Sequence, residues 1–224
     1  MTDRGATFDE VLDRRPDLAG PYRDFIGVFW ARRLIDPVVL ELCRLRVAQL
    51  LGCESELAVR TRPAVEAGLT DKHVSRLSEW PTAECFTDGQ RAALGYSEQF
   101  VLDPHGVDDA MRADLHEHFS SAEVVALTEA LALFDGFTRF QRLLCGEAHS
   151  DAQAGIVDPP APGSPLELPT DADPAITASP LGEQPETLAA FLRLYGTLWS
   201  HGTVPQPLKE IARIRNARIT DCGY

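Results

Sequence analysis

Apolar residues in this chain gather in long runs of helical spacing, not in alternation. The densest run is VVLELCRLRVAQLL (38–51), apolar on most faces and so expected as a buried helix. Asp36-Pro37 before it supplies an N-cap and a proline at the first helical position. Gly52 after it supplies a stop. A second helix is expected from near Cys53, through ESELAVRTRPAVEAG. Thr70 caps another that contains Val74 and Leu77. Thr87 with Gln90 makes a capping box before RAALGYSEQFVL, and Ser120 with Glu123 makes one before VVALTEALALFDGFTRFQRLL. No stretch shows a clear period of two, so the pattern predicts an all-α fold without strands.

The pattern divides the chain into zones. Residues 1–20 are a polar lead-in, and 21–149 are dense in helix signals. Residues 150–187 read as a Pro-rich acidic linker, with prolines at 159, 160, 162, 165, 169, 174, 180 and 185 and no Lys or Arg between Arg142 and Arg193. Such composition predicts an extended segment that buries no core. Residues 188–224 resume helical spacing.

Composition narrows the function classes. The chain has 224 residues, 44% hydrophobic, enough for one core and a smaller second unit. Five cysteines (43, 53, 85, 145, 222) at irregular spacing argue against a disulfide framework. The charged N-terminus has no signal-peptide core, and no apolar run is long enough to cross a membrane. A cytoplasmic setting is the expectation. Net charge is −13, which disfavours a nucleic-acid partner.

The chain also repeats itself. Residues 196–224 lie on residues 27–55 at a constant offset of 169, without gaps. Gly27 meets Gly196, Trp30 meets Trp199, Glu41 meets Glu210, Arg44 and Arg46 meet Arg213 and Arg215, Ala48 meets Ala217, and Cys53 meets Cys222. Seven identities in 29 positions, a Trp and a Cys among them, imply one helical unit and the beginning of a second. The first copy runs on past its cysteine, whereas Tyr224 interrupts the second, which reads as an incomplete repeat.

Glutamate, eleven residues, cysteine, then a turn into a helix resembles the carboxymuconolactone decarboxylase / alkylhydroperoxidase D-like family. The residues that carry the resemblance are LELCRLRVAQLLGCESELAVR, AGLTDKHVSRL, FTDGQRAALGYSEQF and the late helix FSSAEVVALTEALALFDGFTRFQRLL. It covers about residues 20–147. It implies an alkylhydroperoxidase D-like helical bundle and peroxiredoxin activity, an antioxidant oxidoreductase with a hydroperoxide substrate and a dithiol reductant. It also implies a homo-oligomer, and no cofactor or metal.

In redox members the site is a glutamate, then Cys-x-x-Cys-x-x-x-His. A thiolate attacks peroxide, the other cysteine closes a disulfide, and histidine with glutamate moves protons. Here Glu41 matches the glutamate and Cys53 the first cysteine. Glu56 stands at the second cysteine and Arg60 at the histidine, so the first site is degenerate. A carboxylate forms no sulfenic acid, and arginine keeps its proton. The truncated copy retains Glu210 and Cys222. Glu56 and Arg60, four apart, are expected on one helix, and a hairpin would bring Arg60 within reach of Glu41. The expectation is a Glu41–Arg60–Glu56 ion network in place of the proton relay.

Other candidates weigh less. Cys43 reads as core, and Trp30 and Trp199 as packing at the entrance of each unit. Arg44 and Arg46 read as structural ion pairs. His116 and His118 point roughly 200° apart on a helix and read as solvated. Cys145 and His149 could share a helix face, but two ligands do not make a zinc site. Three functions compete: an alkylhydroperoxidase-like redox protein, a decarboxylase-like lyase on a small lactone, and a non-catalytic helical module for oligomerisation or small-molecule binding.

Overall fold

In a computed structural model, which describes residues 7–145, 155–163, 166–200, 202 and 204–222, the helix signals become helices. In chain order these are α1 (Phe8–Leu12), α2 (Pro16–Arg32), α3 (Pro37–Leu51), α4 (Glu54–Ala58), α5 (Arg62–Glu66), α6 (Asp71–Ser75), α7 (Asp88–Leu102), α8 (Asp109–His118), α9 (Ser121–Cys145), α10 (Pro174–Thr177), α11 (Pro185–Ser200) and α12 (Gln206–Ile219). The fold is all-α.

The run 38–51 is the central helix. Leu40, Glu41, Leu42, Cys43, Leu45, Val47 and Ala48 of α3 are wholly enclosed, chiefly by α7 and α9. Asp36 Oδ1 accepts from Val38 N and Val39 N at its start. At its end Gly52 adopts φ 65°, and Gly52 N and Cys53 N donate to Gln49 O and Ala48 O at 3.2 and 2.8 Å. That is the double-bonded left-handed stop that glycine favours. The predicted boxes at Thr87/Gln90 and Ser120/Glu123 both form.

Two expectations need correction. The helix expected through ESELAVRTRPAVEAG stops after one turn. It gives way to strand β1 (Val59–Thr61), and α5 starts afresh at Arg62. Pro63 has no N–H to bond the carbonyl four residues back, so the helix cannot run through it, and β-branched Val59 and Thr61 suit the extended form. The second correction concerns strands. β1 pairs in parallel with β2 (Gly155–Val157), in register Val59–Gly155 to Thr61–Val157.

The residues after β2 lie against α2. Asp24 Oδ1 accepts from Gly163 N at 2.7 Å. A Cβ on Gly27 would stand 2.3 Å from the Pro160 carbonyl oxygen, so only glycine permits this approach.

The offset of 169 that aligns the sequence also aligns elements: α2 with α11 and α3 with α12. Arg33 (φ 49°) answers to Gly202 (φ 129°), and Gly52 to Asp221, also left-handed at φ 49°. α11 packs antiparallel on α2. Arg32 pairs with Glu186 near one end, and in the middle Asp24 meets its own counterpart, Arg193, at 2.8 Å. α12 has no buried residue, although its counterpart α3 is the core.

Candidate functional site

The site gathers where α3 ends, α4 and β1 follow, and the last turns of α9 pass over them. Glu41 has no solvent exposure. Its carboxylate accepts from Arg44 Nε at 2.9 Å, Arg44 Nη2 at 2.8 Å, Thr61 N at 3.0 Å and Thr61 Oγ1 at 3.1 Å. Burial pushes its pKa up, but the Arg44 charge and these hydrogen bonds outweigh burial and hold it below the ordinary value.

Arg44 is the hub. Besides Glu41, it donates from Nη2 to Val59 O at 3.0 Å. From Nη1 it donates to Glu56 O at 3.0 Å and to Glu56 Oε2 at 2.5 Å. A guanidinium has five N–H groups, and here all five are engaged. Burial alone would lower its pKa, but Glu41 and Glu56 raise it further.

The expected network therefore forms around a different arginine. Arg60 lies in β1, not on a helix with Glu56. Its Nη1 donates to Leu57 O and Val59 O at 2.6 and 2.7 Å. It serves carbonyls at the end of α4, sharing Val59 O with Arg44, and makes no ion pair with Glu41 or Glu56 in the structure. Burial first, then the neighbouring Arg44 charge, lowers its pKa. The Glu–x–x–Arg pair, three apart and repeated in both copies, was the signal for Arg44. It recurs as Arg213 Nε and Nη2 on Glu210 at 2.9 and 2.5 Å, here exposed to solvent. Arg46, also read as structural, pairs with Glu98 across to α7, and Trp80 Nε1 donates to the same carboxylate at 2.6 Å.

Cys53 is buried at the N-cap position of α4, and its Sγ lies 3.4 Å from Ser55 Oγ. Ser55 Oγ accepts from Gln141 Nε2 at 2.8 Å, and Arg142 donates to Leu51 O. These bonds seat the last turn of α9 on the α3–α4 turn and carry Cys145, also buried, into the neighbourhood of Cys53. Burial, then the Cys53 charge, raises the Cys145 pKa. This meeting of thiols was not legible in sequence, because it depends on how α9 crosses α3. Cys222, the counterpart of Cys53, is exposed. His149 and Tyr224 lie outside the described residues. On α8, His118 with Asp114 and Glu117 forms an exposed group whose ligand atoms lie within 4.8 Å of one another, while His116 is not part of it.

Beside the network opens a cavity of about 410 Å³. Phe8, Tyr22, Trp30, Phe134 and Phe137 wall it, with Arg44, Glu56, Thr61, Thr138 and Gln141 as its inner polar patch. Asp9, Arg23 and Asp158 also line it, each in an ion pair: Arg23 with Asp9 and Asp13, and Asp158 with Arg62. Tyr22 and Phe137 lie 4.1 Å apart between ring centroids, and Phe8 meets Tyr22 edge-on at 5.6 Å. Burial, then Glu56, pushes the Tyr22 phenol up, so it stays protonated. Cys43, by contrast, is sealed in the core, with its thiol pushed up to about 12 by burial.

Residues 16–99 match the sequence model of the carboxymuconolactone decarboxylase family. The uncharacterized protein YnjA of Escherichia coli K12 is 33% identical over 118 residues, which cover 52% of this chain and 64% of YnjA. The uncharacterized protein YdfG of Bacillus subtilis is 26% identical over 117 residues, 80% of its length. The uncharacterized protein Rv2313c of Mycobacterium tuberculosis is 27% identical over 117 residues, 41% of its length. The chain thus spans less than two thirds of YnjA and of Rv2313c. No helix among the described residues is long and apolar enough to cross a membrane.

Proposed function

Residues 16–99 form a unit of the carboxymuconolactone decarboxylase family, and from that premise we propose that the chain binds a small, uncharged, mainly apolar molecule in the aromatic cavity beside Arg44. The observation that supports this is the closed network. Arg44 has no N–H left for an anionic ligand, and Glu41 is fully occupied by Arg44 and Thr61. A carboxylate so held has no proton to move. The other charged groups of the lining, Asp9, Arg23 and Asp158, are ion-paired as well, and the rest is mainly aromatic surface with a few polar groups, the usual makeup of a small-molecule pocket.

The test pairs binding with turnover. N-phenyl-1-naphthylamine, a neutral fluorescent probe, should brighten on binding, and Ile26→Trp, which fills the cavity from α2, should weaken binding about fivefold or more. Cumene hydroperoxide should not be consumed with dithiothreitol above the rate of the Cys53→Ser variant. Binding that is indifferent to Ile26→Trp would sink the reading.

A second reading rests on the two thiols. Peroxiredoxin-type activity needs a cysteine to attack and another to resolve, and Cys145 could supply the second thiol that is missing at Glu56, with the attack passing to Cys53. Cys53 thiolate would attack the hydroperoxide, giving a sulfenic acid and releasing an alcohol. Cys145 would then displace water to close a disulfide, which a dithiol reductant reopens. Turnover abolished by Cys53→Ser and by Cys145→Ser alike would favour this reading over pure binding. The lactone lyase has no observation in its favour, since no histidine stands at the site.

A further inference from the structure

A second cavity, away from the Arg44 network, encloses about 320 Å³ between α9, α11 and α2. Its walls are almost wholly apolar: Phe25, Leu133, Leu181, Phe191 and Leu194, with Tyr195 at an exposed edge. Into this setting α9 places Glu129. The residue is only 8% exposed, and neither carboxylate oxygen has a hydrogen-bond partner. The Thr187 hydroxyl bears on it weakly, holding its pKa down against burial, but the Thr187 proton goes to Gln184 O at 2.9 Å.

A buried carboxylate without a partner costs several kcal/mol and ordinarily finds a donor. No cation among the described residues bears on it. Arg193 of α11 is tied to Asp24 of α2, and Arg139 is tied to Asp135 on α9 itself. Glu183 of the turn before α11 is exposed, and Tyr195 is the other titratable group on the wall. Phe191 and Tyr195, both in the wall, stack on one another at 5.6 Å, and aromatic rings attract organic cations.

We infer that this cavity is a binding site for an apolar organic amine, whose ammonium group pairs with Glu129 while its aryl or alkyl body fills the space between α9 and α11. The volume sits at the small end of ligand pockets, which suits a single ring with a short arm. The site contains neither Cys53 nor any member of the Arg44 network, although Leu133 stands in the walls of both cavities.

Calorimetric titration with phenethylammonium chloride, and with 2-phenylethanol as its neutral counterpart, tests the assignment. The ammonium should bind wild-type protein at pH 8 and bind Glu129→Gln at least tenfold more weakly, while the alcohol responds little to the substitution. Burial raises Glu129 to about 7, and the amine stays charged at pH 8. Ammonium affinity should therefore rise about tenfold from pH 6 to pH 8 as the carboxyl ionises, while alcohol binding stays flat. This second measurement needs only the wild-type protein and decides the matter if the variant does not fold. No ammonium binding at millimolar concentration, equal loss for both probes in Glu129→Gln, or a flat pH profile for the ammonium would each overturn it.

Discussion

Arg44→Met would leave Glu41 and Glu56 as carboxylates without their cation, one of them wholly buried. Breaking a buried pair from one side costs ~3–5 kcal/mol, so the urea midpoint of this variant should fall steeply. Arg60→Ala removes only hydrogen bonds to two backbone carbonyls on a half-exposed side chain, and should cost about 1 kcal/mol. Equal losses in the two variants would contradict the assignment of Arg44 as hub. The two buried glutamates also give opposite pH signatures. Glu41 has a lowered pKa in the fold, so its stabilisation is present above the unfolded carboxyl value and is lost as pH falls. Glu129 is raised to about 7 from 4.5, so the folded state holds the extra proton. Its contribution is present below 4.5 and lost as pH rises toward 7. Glu129→Gln should therefore stabilise the ligand-free protein at pH 8, by up to ~3 kcal/mol, and leave it nearly unchanged at pH 4. Thermal melts at the two pH values read this directly.

At the scale of elements, α3, α7 and α9 were legible because each carries its own start signal and a long apolar face. What sequence missed is short and depends on distant partners. β1 has three residues, and its partner strand lies 96 residues away; no local period announces such a pair. The same holds for the stretch after β2, whose proline content argues for an extended chain but does not say that Gly27 receives it. At the candidate site, Glu41 and Cys53 could be read from spacing. The choice between Arg44 and Arg60 could not, because it turns on whether the chain after Cys53 stays helical, and Pro63 with its β-branched neighbours ends it. Gly27→Ala probes the packing of one such distant contact. The added methyl must push Pro160 away, so proteolysis within residues 155–163 should speed up while the α-helical circular dichroism holds. Unchanged cleavage would mean that the segment has room to yield.

At the scale of the whole molecule, the two copies of the Glu–x–x–Arg helix stand in opposite surroundings. Leu42 and Leu45 of α3 are wholly buried, yet their counterparts Ile211 and Ile214 of α12 are 63% and 43% exposed, beside Leu208 at 56%. A contiguous apolar stripe of this kind on a free surface favours association. Within the chain, α2 packs antiparallel on its counterpart α11, with Asp24 on its own counterpart Arg193. The occupant we expect on the α12 stripe is a second copy of the chain, stripe on stripe. Sedimentation should then show a concentration-dependent dimer. Ile211→Lys with Ile214→Lys should return the protein to a monomer that melts like wild type diluted until it dissociates, since neither side chain contributes to the core of its own chain. A monomer at all concentrations, or a dimer indifferent to both substitutions, would remove α12 as the contact, while the Arg44 network and the Glu129 cavity, built on other elements, would stand unaffected.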